Sequence, residues 1–379
     1  MSGLASGVNP GRKGCYVEPS GGTGATPPVP EESAQDLQTY RLGRRPALDG
    51  LRGLAVTAVI AGHSLLPLCA NAGTVGVTFF FVLSGFLITR LLLEEQEDHR
   101  RIDIRAFYVR RARRLAPALL IFLLFTSAAH KVAGDSLWPV VASFAYVANF
   151  AAISGLPMHL LQHMWSLSME EQFYLLWPML MAVLLPRGRR RLLLVLCLGL
   201  ILCVGLRAWL TLSGAPSSRV MFGPDTRADA LIIGAMLAFF LPHLTDWPLG
   251  RIASYAACVL ALSLPLGPQG SWTLLPVALA SAGVVGWAAT VSASRRPSRA
   301  ATALARGPIA ALGRISYGVY LWHFPIAIIL AARVPHVLGA ILTLCLSTAL
   351  AAASWRYVEV PILRRPVRGL ATRGMRQGP

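Results

Sequence analysis

Charged residues are scarce in this chain. Asp, Glu, Lys and Arg make up 14% of its 379 residues, whereas 55% of the residues are hydrophobic. Soluble domains carry about 25% charged residues, so this composition excludes a soluble globular protein. The chain is also long enough for many membrane crossings. We therefore predict an all-α, polytopic membrane protein whose long apolar runs cross the bilayer as helices.

Lysine is nearly absent. Only Lys13 and Lys131 occur, so arginine supplies almost all of the formal net charge of +18. Nucleic-acid-binding proteins also carry large positive charges, but they concentrate them on one polar face. Here the basic residues fall in short segments between apolar runs. This distribution is typical of the positive-inside rule of membrane proteins, and we expect no nucleic-acid partner.

Two further features are missing. The six cysteines form no CxxC pair and have no histidine at ligand spacing, so no metal site is expected. Residues 1–40 contain no apolar core of the kind found in a secretory signal. We expect residues 1–44 to form a disordered cytoplasmic tail, and the first membrane span to act as an internal anchor.

Ten apolar runs are long enough to cross about 30 Å of hydrocarbon as helices. They lie at about 50–69, 76–94, 115–131, 166–186, 191–211, 227–243, 252–268, 271–291, 315–333 and 337–357.

The topology follows from four basic segments, at 99–114, 186–191, 294–314 and 364–373. With a cytoplasmic amino terminus, ten spans place all four on the inner side of the plasma membrane. Counting 136–151 as a span would move 186–191 outside, so we interpret 136–151 as re-entrant or interfacial. The prediction is a membrane domain at 45–360 and a basic cytoplasmic tail at 361–379.

The first span carries two ionisable residues, Arg52 and His63, with ten residues between them. On a helix this spacing returns to within about 20° of the same face and rises about 16 Å. The pair suggests one elongated cavity, with an anion site at its mouth and a proton-transfer group inside. The alternative is an anchoring arginine and a packed histidine.

Arginines cluster just before the third span, in a segment interpreted as a loop: Arg110, Arg111, Arg113 and Arg114. Helical spacing would place Arg110 and Arg114 on one side, with Arg111 adjacent to the face of Arg114. Topology explains one or two of these arginines. A dense guanidinium cluster also suits a phosphate-bearing cosubstrate, and both interpretations stay open.

Two adjacent carboxylates, Glu170 and Glu171, stand at the entrance of the fourth span. They fit a helix start capped by Ser166 or Ser168. Alternatively, one carboxylate pairs with His63 and holds its tautomer, as the third member of a catalytic triad does.

Other residues in or near the spans have simpler explanations. Gly85 fits close helix packing. Asp225, Arg227 and Asp229 fit an internal ion-pair network, and His323 fits packing or substrate lining.

Six motifs, in this order, resemble the acyltransferase-3 family of membrane O-acyltransferases. They are RPALDGLRGLAVTAVIAGHS, GVTFFFVLSGFLIT, FYVRRARRLAPAL, WSLSMEEQFYLLWP, DTRADALIIGA and ISYGVYLWHFPI. The resemblance runs from about residue 45 to 360. It implies a ten-helix membrane core that transfers acyl groups, commonly acetyl, from acyl-CoA to hydroxyl groups.

The resemblance also implies roles for individual residues. The family's arginine and histidine fall on Arg52 and His63, and its characteristic glutamate falls on Glu170 or Glu171. The arginines of its RRxxR segment fall on Arg110, Arg111 and Arg114. The implied mechanism has these arginines and Arg52 holding the CoA phosphates while His63 acts as general base, oriented by a glutamate.

The implied partners are an acyl-CoA donor, membrane lipid and a hydroxyl-bearing glycan, glycolipid or small-molecule acceptor. A stand-alone form without an extracytoplasmic hydrolase-like domain is expected, which leaves a macrolide-type O-acyltransferase open. The alternative from another class is a transporter that exports a small amphiphile, with Arg52, Asp225 and Asp229 as an ion-coupling path.

Overall fold

A computed structural model describes residues 45–65, 69, 71–244, 247–264, 271–291 and 298–365. The predicted amino-terminal tail, 1–44, lies outside these residues, as does most of the predicted tail at 361–379. The described part of the chain contains helices and no β-strand.

The helices come in the following order. The first eight are α1 (Pro46–Ser64), α2 (Ala72–His99), α3 (Ile104–Ala133), α4 (Trp138–Phe144), α5 (Ala148–Ile153), α6 (Met164–Leu184), α7 (Arg189–Leu212) and α8 (Ser217–Phe222). The next five are α9 (Pro224–Arg227), α10 (Asp229–Phe240), α11 (Leu249–Ser263), α12 (Leu274–Val291) and α13 (Arg299–Ala305). The last four are α14 (Gly307–Arg314), α15 (Ser316–Ala331), α16 (His336–Ser354) and α17 (Val360–Arg364), with a π-helical turn at Trp355–Glu359.

Each of the ten predicted spans contains a helix, which confirms the all-α membrane class. Within the described residues, five helical segments are long and apolar enough to cross a membrane, and α14 with α15 would be a sixth if this pair, bent by 84°, is one span. Helices α10 and α11 are shorter apolar helices. The two remaining helices, α1 and α6, carry the ionisable residues singled out above. A count of ten crossings therefore stays a prediction.

Residues 136–151 do not form a long helix. They contain α4 and the start of α5, separated by a break at Tyr146, whose φ is 55°. A helix of seven residues is about 10 Å long, a third of the hydrocarbon thickness. This geometry agrees with an interfacial or re-entrant segment.

The arginine cluster lies on a helix, so its interpretation as a loop is wrong. Helix α3 begins at Ile104, and the Asp103 side chain caps it by accepting a hydrogen bond from the Ala106 N–H at 2.9 Å. At 30 residues the helix is about 45 Å long, longer than the hydrocarbon region. The extra turns give the arginines regular helical positions that a loop would not fix.

The centre of the fold depends on close packing between α2 and α10. A Cβ atom at Gly85 would lie 2.0 Å from the Leu231 carbonyl oxygen, and one at Gly234 would lie 2.0 Å from the Val82 oxygen. Small residues of this kind let the backbones of two membrane helices touch. The predicted packing role of Gly85 is therefore confirmed.

A buried apolar cluster continues this contact toward α3, α6 and α7. Its members are Leu92, Leu93, Phe107, Trp177, Met181, Leu192, Leu196, Ala235 and Phe239. The cluster holds α2, α3 and α6 at fixed positions, and these three helices carry most of the candidate site.

We expect Gly85→Ala and Gly234→Ala to destabilise the protein by about 1–3 kcal/mol, because the added methyl must push two backbones apart. Thermal melting in detergent micelles measures the effect. The matched control is Gly205→Ala on α7, where a Cβ meets nothing within 4 Å and alanine favours the helix. Equal melting temperatures for the three variants would contradict close packing at the α2–α10 contact.

Candidate functional site

A cavity of about 300 Å³ lies between α1, α2, α3, α6 and α15. Apolar side chains cover much of its wall, and polar groups converge on it from all five helices. The polar residues are Arg52, Ser84, Arg111, Arg114, Ser166, Glu170, Glu171, Tyr174, Ser316, Tyr317 and Tyr320. Apolar pockets with a few convergent polar groups are typical ligand sites.

Three guanidinium groups line the cavity. Arg52 Nε donates a hydrogen bond to Ser316 Oγ at 3.3 Å. Arg111 pairs with Glu171, whereas Arg114 makes no hydrogen bond or ion pair with any residue that the structure describes. The available N–H donors of Arg52 and Arg114 suit an anionic group that needs several hydrogen bonds, such as a phosphate.

Arg110 lies apart from these three. Its Nη2 is 3.2 Å from Glu95 Oε2, and its side chain is 51% exposed. Arg110 is not among the residues that line the cavity, although helix geometry keeps it on the same side of α3 as Arg114. Arg111 and Arg114, three positions apart on α3, both line it.

The two adjacent glutamates have different contacts. Glu171 accepts two hydrogen bonds from Arg111, from Nε at 3.0 Å and from Nη2 at 2.5 Å. The same guanidinium lies over the Tyr174 ring, with Cζ 3.3 Å from the centroid. Glu171 and Tyr174 therefore fix the orientation of Arg111.

Glu170 lies in the cavity wall and accepts a hydrogen bond from Ser84 Oγ at 3.0 Å. The capping explanation for these glutamates does not hold, because α6 already begins at Met164 and no side chain caps it. Ser168 Oγ instead donates to the Met164 carbonyl oxygen within the helix.

His63 has a defined tautomer. Its Nδ1 is 2.9 Å from the Val59 carbonyl oxygen. Since a carbonyl only accepts hydrogen bonds, Nδ1 carries the proton and Nε2 has the lone pair in the neutral ring. A glutamate was expected to hold the His63 tautomer. The Val59 carbonyl does so instead, because it lies one helical turn earlier, within hydrogen-bond distance of Nδ1.

His63 belongs to a cluster of three imidazoles. Its ring centroid is 5.3 Å from that of His323, and the His323 centroid is 5.4 Å from that of His163. Phe324 packs against His63 and His163, with centroids 5.1 Å away in both cases. His163 and His323 are fully buried or nearly so, at 2% and 0% exposed.

Arg52 and His63 do share one face of α1, because both contact α15. Arg52 bonds to Ser316 at the start of α15, and His63 packs against His323 about two turns later. The sequence predicted one elongated cavity lined by both residues, and the structure shows a cavity lined by one of them. Arg52 lines the cavity, as do Ser166 and Tyr320, but His63 does not.

Three residues of this region are not predicted from the sequence: His163, Ser166 as a site residue, and Tyr320. Ser166 Oγ and the Tyr320 hydroxyl are 2.5 Å apart and both line the cavity. Their positions in the sequence could have indicated them. His163 and Ser166 lie within two residues of Trp165, and Tyr320 lies three residues before His323, inside two of the motifs or next to them. Only tertiary packing brings α6 and α15 together.

The internal ion-pair network predicted for Asp225, Arg227 and Asp229 is found only in part: Asp229 is in a buried pair, Asp225 is in a partly exposed one, and the partners of both lie elsewhere in the chain. Arg207 Nη1 lies 2.6 Å from Asp229 Oδ2 in a buried pair, and Arg219 pairs with Asp225 at 2.5 Å. Arg227 is fully buried and donates to Thr78 Oγ1 at 3.3 Å. In the part of the chain that the structure describes, no group of His, Cys, Asp or Glu side chains is arranged to hold a metal ion.

Comparison with known sequences gives a family. Residues 45–356 match the family described as an acyltransferase domain. The chain is 33% identical over 375 residues to the peptidoglycan O-acetyltransferase OatA of Listeria monocytogenes, covering 86% of this chain and 57% of that protein. It is 30% identical over 359 residues to the O-acetyltransferase OatA of Staphylococcus aureus, covering 86% of this chain and 58% of that protein.

The chain therefore spans less than two thirds of the length of these relatives. The macrolide-type acyltransferase that the sequence analysis left open is not supported, because these relatives are named as O-acetyltransferases, the first of them of peptidoglycan. No solved structure matches the chain. The family match over residues 45–356 and the helical membrane fold show that the chain belongs to the acyltransferase-3 family of multi-pass membrane proteins.

Proposed function

We propose that this protein is an O-acetyltransferase that moves an acetyl group from acyl-CoA to a hydroxyl group of a peptidoglycan-type glycan. The observation that carries the proposal is the cavity, where three arginines and two glutamates from separate motifs converge. The relatives' names support the acetyl group and the glycan acceptor. We further propose a plasma-membrane location with cytoplasmic termini, from the positive-inside pattern.

The donor binds through its phosphates. Arg111 and Arg114 lie three positions apart on α3 and, with Arg52, present guanidinium groups to one cavity. Bidentate, charge-assisted hydrogen bonds from guanidinium groups are well suited to phosphate oxygens. Arg110, on the exposed side of α3, adds an outer contact to the same donor. The acyl-thioester end extends toward Glu170, Ser166 and Tyr320.

His63 acts as the general base. Its Nδ1 proton is held by the Val59 carbonyl, so Nε2 is free to accept the proton of the acceptor hydroxyl. The hydroxyl oxygen then attacks the thioester carbonyl, the C–S bond breaks, and CoA leaves as a thiolate that is subsequently protonated. No acyl-enzyme intermediate is required.

The two glutamates act differently in this scheme. Glu171 positions Arg111 through its paired hydrogen bonds. Glu170, held by Ser84 in the cavity wall, provides negative charge that stabilises the positive charge formed on the histidines during transfer.

The rival function is export of a small amphiphile. Radiolabelled acetyl-CoA separates the two, because a transporter transfers no label to any acceptor.

We expect His63→Gln to lower acetyl transfer by about 10²–10⁴-fold, the usual contribution of a general base. The measurement is label transfer from acetyl-CoA to peptidoglycan fragments, with a macrolide and a glycolipid as further acceptors. Binding of acetyl-CoA, measured separately, is expected to stay unchanged. The matched control is His336→Gln, an exposed histidine at the start of α16. Equal transfer by His63→Gln and His336→Gln would remove the base role.

We expect Arg114→Ala and Glu171→Gln each to raise KM for acetyl-CoA about tenfold or more, because each loses charge-assisted hydrogen bonds or their orientation. Arg110→Ala is expected to have a smaller effect, since its side chain does not line the cavity and pairs with Glu95. Arg251→Ala, an exposed position on α11, is the control. An unchanged KM in Arg114→Ala would place the donor phosphates elsewhere.

A further inference from the structure

The cavity that would hold the thioester does not reach His63. Ser166 and Tyr320 line it, whereas His63 packs against His323 and Phe324 outside the lining. In the proposed reaction His63 takes a proton from the acceptor, and the departing thiolate needs one. The proton must therefore travel from His63 to the cavity, where the CoA sulfur lies.

We propose that His323, Tyr320 and Ser166 form a proton path from His63 to the sulfur of the leaving CoA. This inference rests on the proposed acetyl transfer and adds residues to it. Tyr320 is the catalytic acid at the cavity, assisted by the hydroxyl of Ser166. His323 is a positioning residue that acts through Tyr320.

The tautomers of the histidines fit this path. His323 Nδ1 is 2.6 Å from the Tyr320 carbonyl oxygen, so Nδ1 carries the proton and Nε2 does not. His323 Nε2 is buried and has no hydrogen-bond partner. His163 is similar, since its Nε2 donates to the Leu321 carbonyl and its buried Nδ1 has no partner. The cluster thus has unpartnered acceptor nitrogens on both buried rings, at the positions where a passing proton would be taken up.

The ring contacts are continuous from His63 to the cavity. The His63 and His323 centroids are 5.3 Å apart, and the His323 and Tyr320 centroids are 5.0 Å apart. One water or a side-chain rotation closes gaps of this size. At the far end the Tyr320 hydroxyl contacts Ser166 Oγ at 2.5 Å. Hydroxyl groups both donate and accept, so they can pass a proton on.

The chemistry balances along this path. The acceptor O–H bond breaks and its proton goes to His63 Nε2, while the new C–O bond forms and the C–S bond breaks. The proton then passes to His323 Nε2. Tyr320 gives its own hydroxyl proton to the thiolate, directly or through Ser166, and takes the proton from His323. The enzyme ends in its starting state, with the ester and free CoA as products.

We expect Tyr320→Phe to lower kcat for acetyl transfer at least about tenfold, with KM for acetyl-CoA changed less than about twofold, because the aromatic ring that packs remains. The matched control is Tyr255→Phe, an exposed tyrosine on α11. The proton inventory, which is the rate against the deuterium fraction of the solvent, is expected to be curved in the wild type and linear in Tyr320→Phe.

The proposed proton path would be overturned if Tyr320→Phe had the same kcat as Tyr255→Phe and its proton inventory stayed curved. If Tyr320→Phe melts at the assay temperature, Ser166→Ala and His323→Asn decide by the same two measurements. The double variant Tyr320→Phe with Ser166→Ala is expected to be no slower than Tyr320→Phe alone, since both act in one path. Absence of transfer in the wild type would overturn the proposed function and the path, whereas normal transfer in all variants would overturn the path only.

Discussion

A charged side chain in the hydrocarbon region of a bilayer costs several kcal/mol unless it has a partner or faces a polar cavity. This constraint shapes the interior of the molecule. Arg207 is buried against Asp229, Arg111 is held by Glu171, and Arg90 pairs with Glu94 one turn further along α2. Arg52 and Arg114 pair with no carboxylate among the residues that the structure describes, and both line the cavity beside Arg111. The positions of charge therefore identify the place where an anionic ligand is most favourable.

The cavity exists because the surrounding helices are held at fixed distances. Glycine contacts bring α2 and α10 together at backbone level, and the apolar cluster fixes α3, α6 and α7 against them. The site residues come from three consecutive helices, α1, α2 and α3, and from α6 and α15 further along the chain. Helices α1 and α15 meet along the face that carries Arg52 and His63. A rigid frame of this kind keeps the reacting groups aligned, so no further entropy is lost in orienting them during the reaction.

The histidines follow a different rule from the arginines. Each ring has one nitrogen near a backbone carbonyl, of Val59, Leu321 or Tyr320. Neutral imidazoles are cheaper to bury than charged groups, so three of them can lie together in an apolar region. The carbonyls fix which nitrogen carries a proton, and this is the property that a proton-transfer group needs.

The sequence by itself determined the all-helical membrane class, the positions of ten apolar segments and the common face of Arg52 and His63, because each depends on composition or on the period of a single helix. It could not separate the two glutamates or show that Arg110 does not line the cavity, since helical spacing does not identify the neighbouring helices and adjacent residues look alike in one dimension. Tertiary structure decided these points. It also brought His163, Ser166 and Tyr320 together from segments about 150 residues apart, and contacts between helices so distant in the chain leave no local pattern in a single sequence.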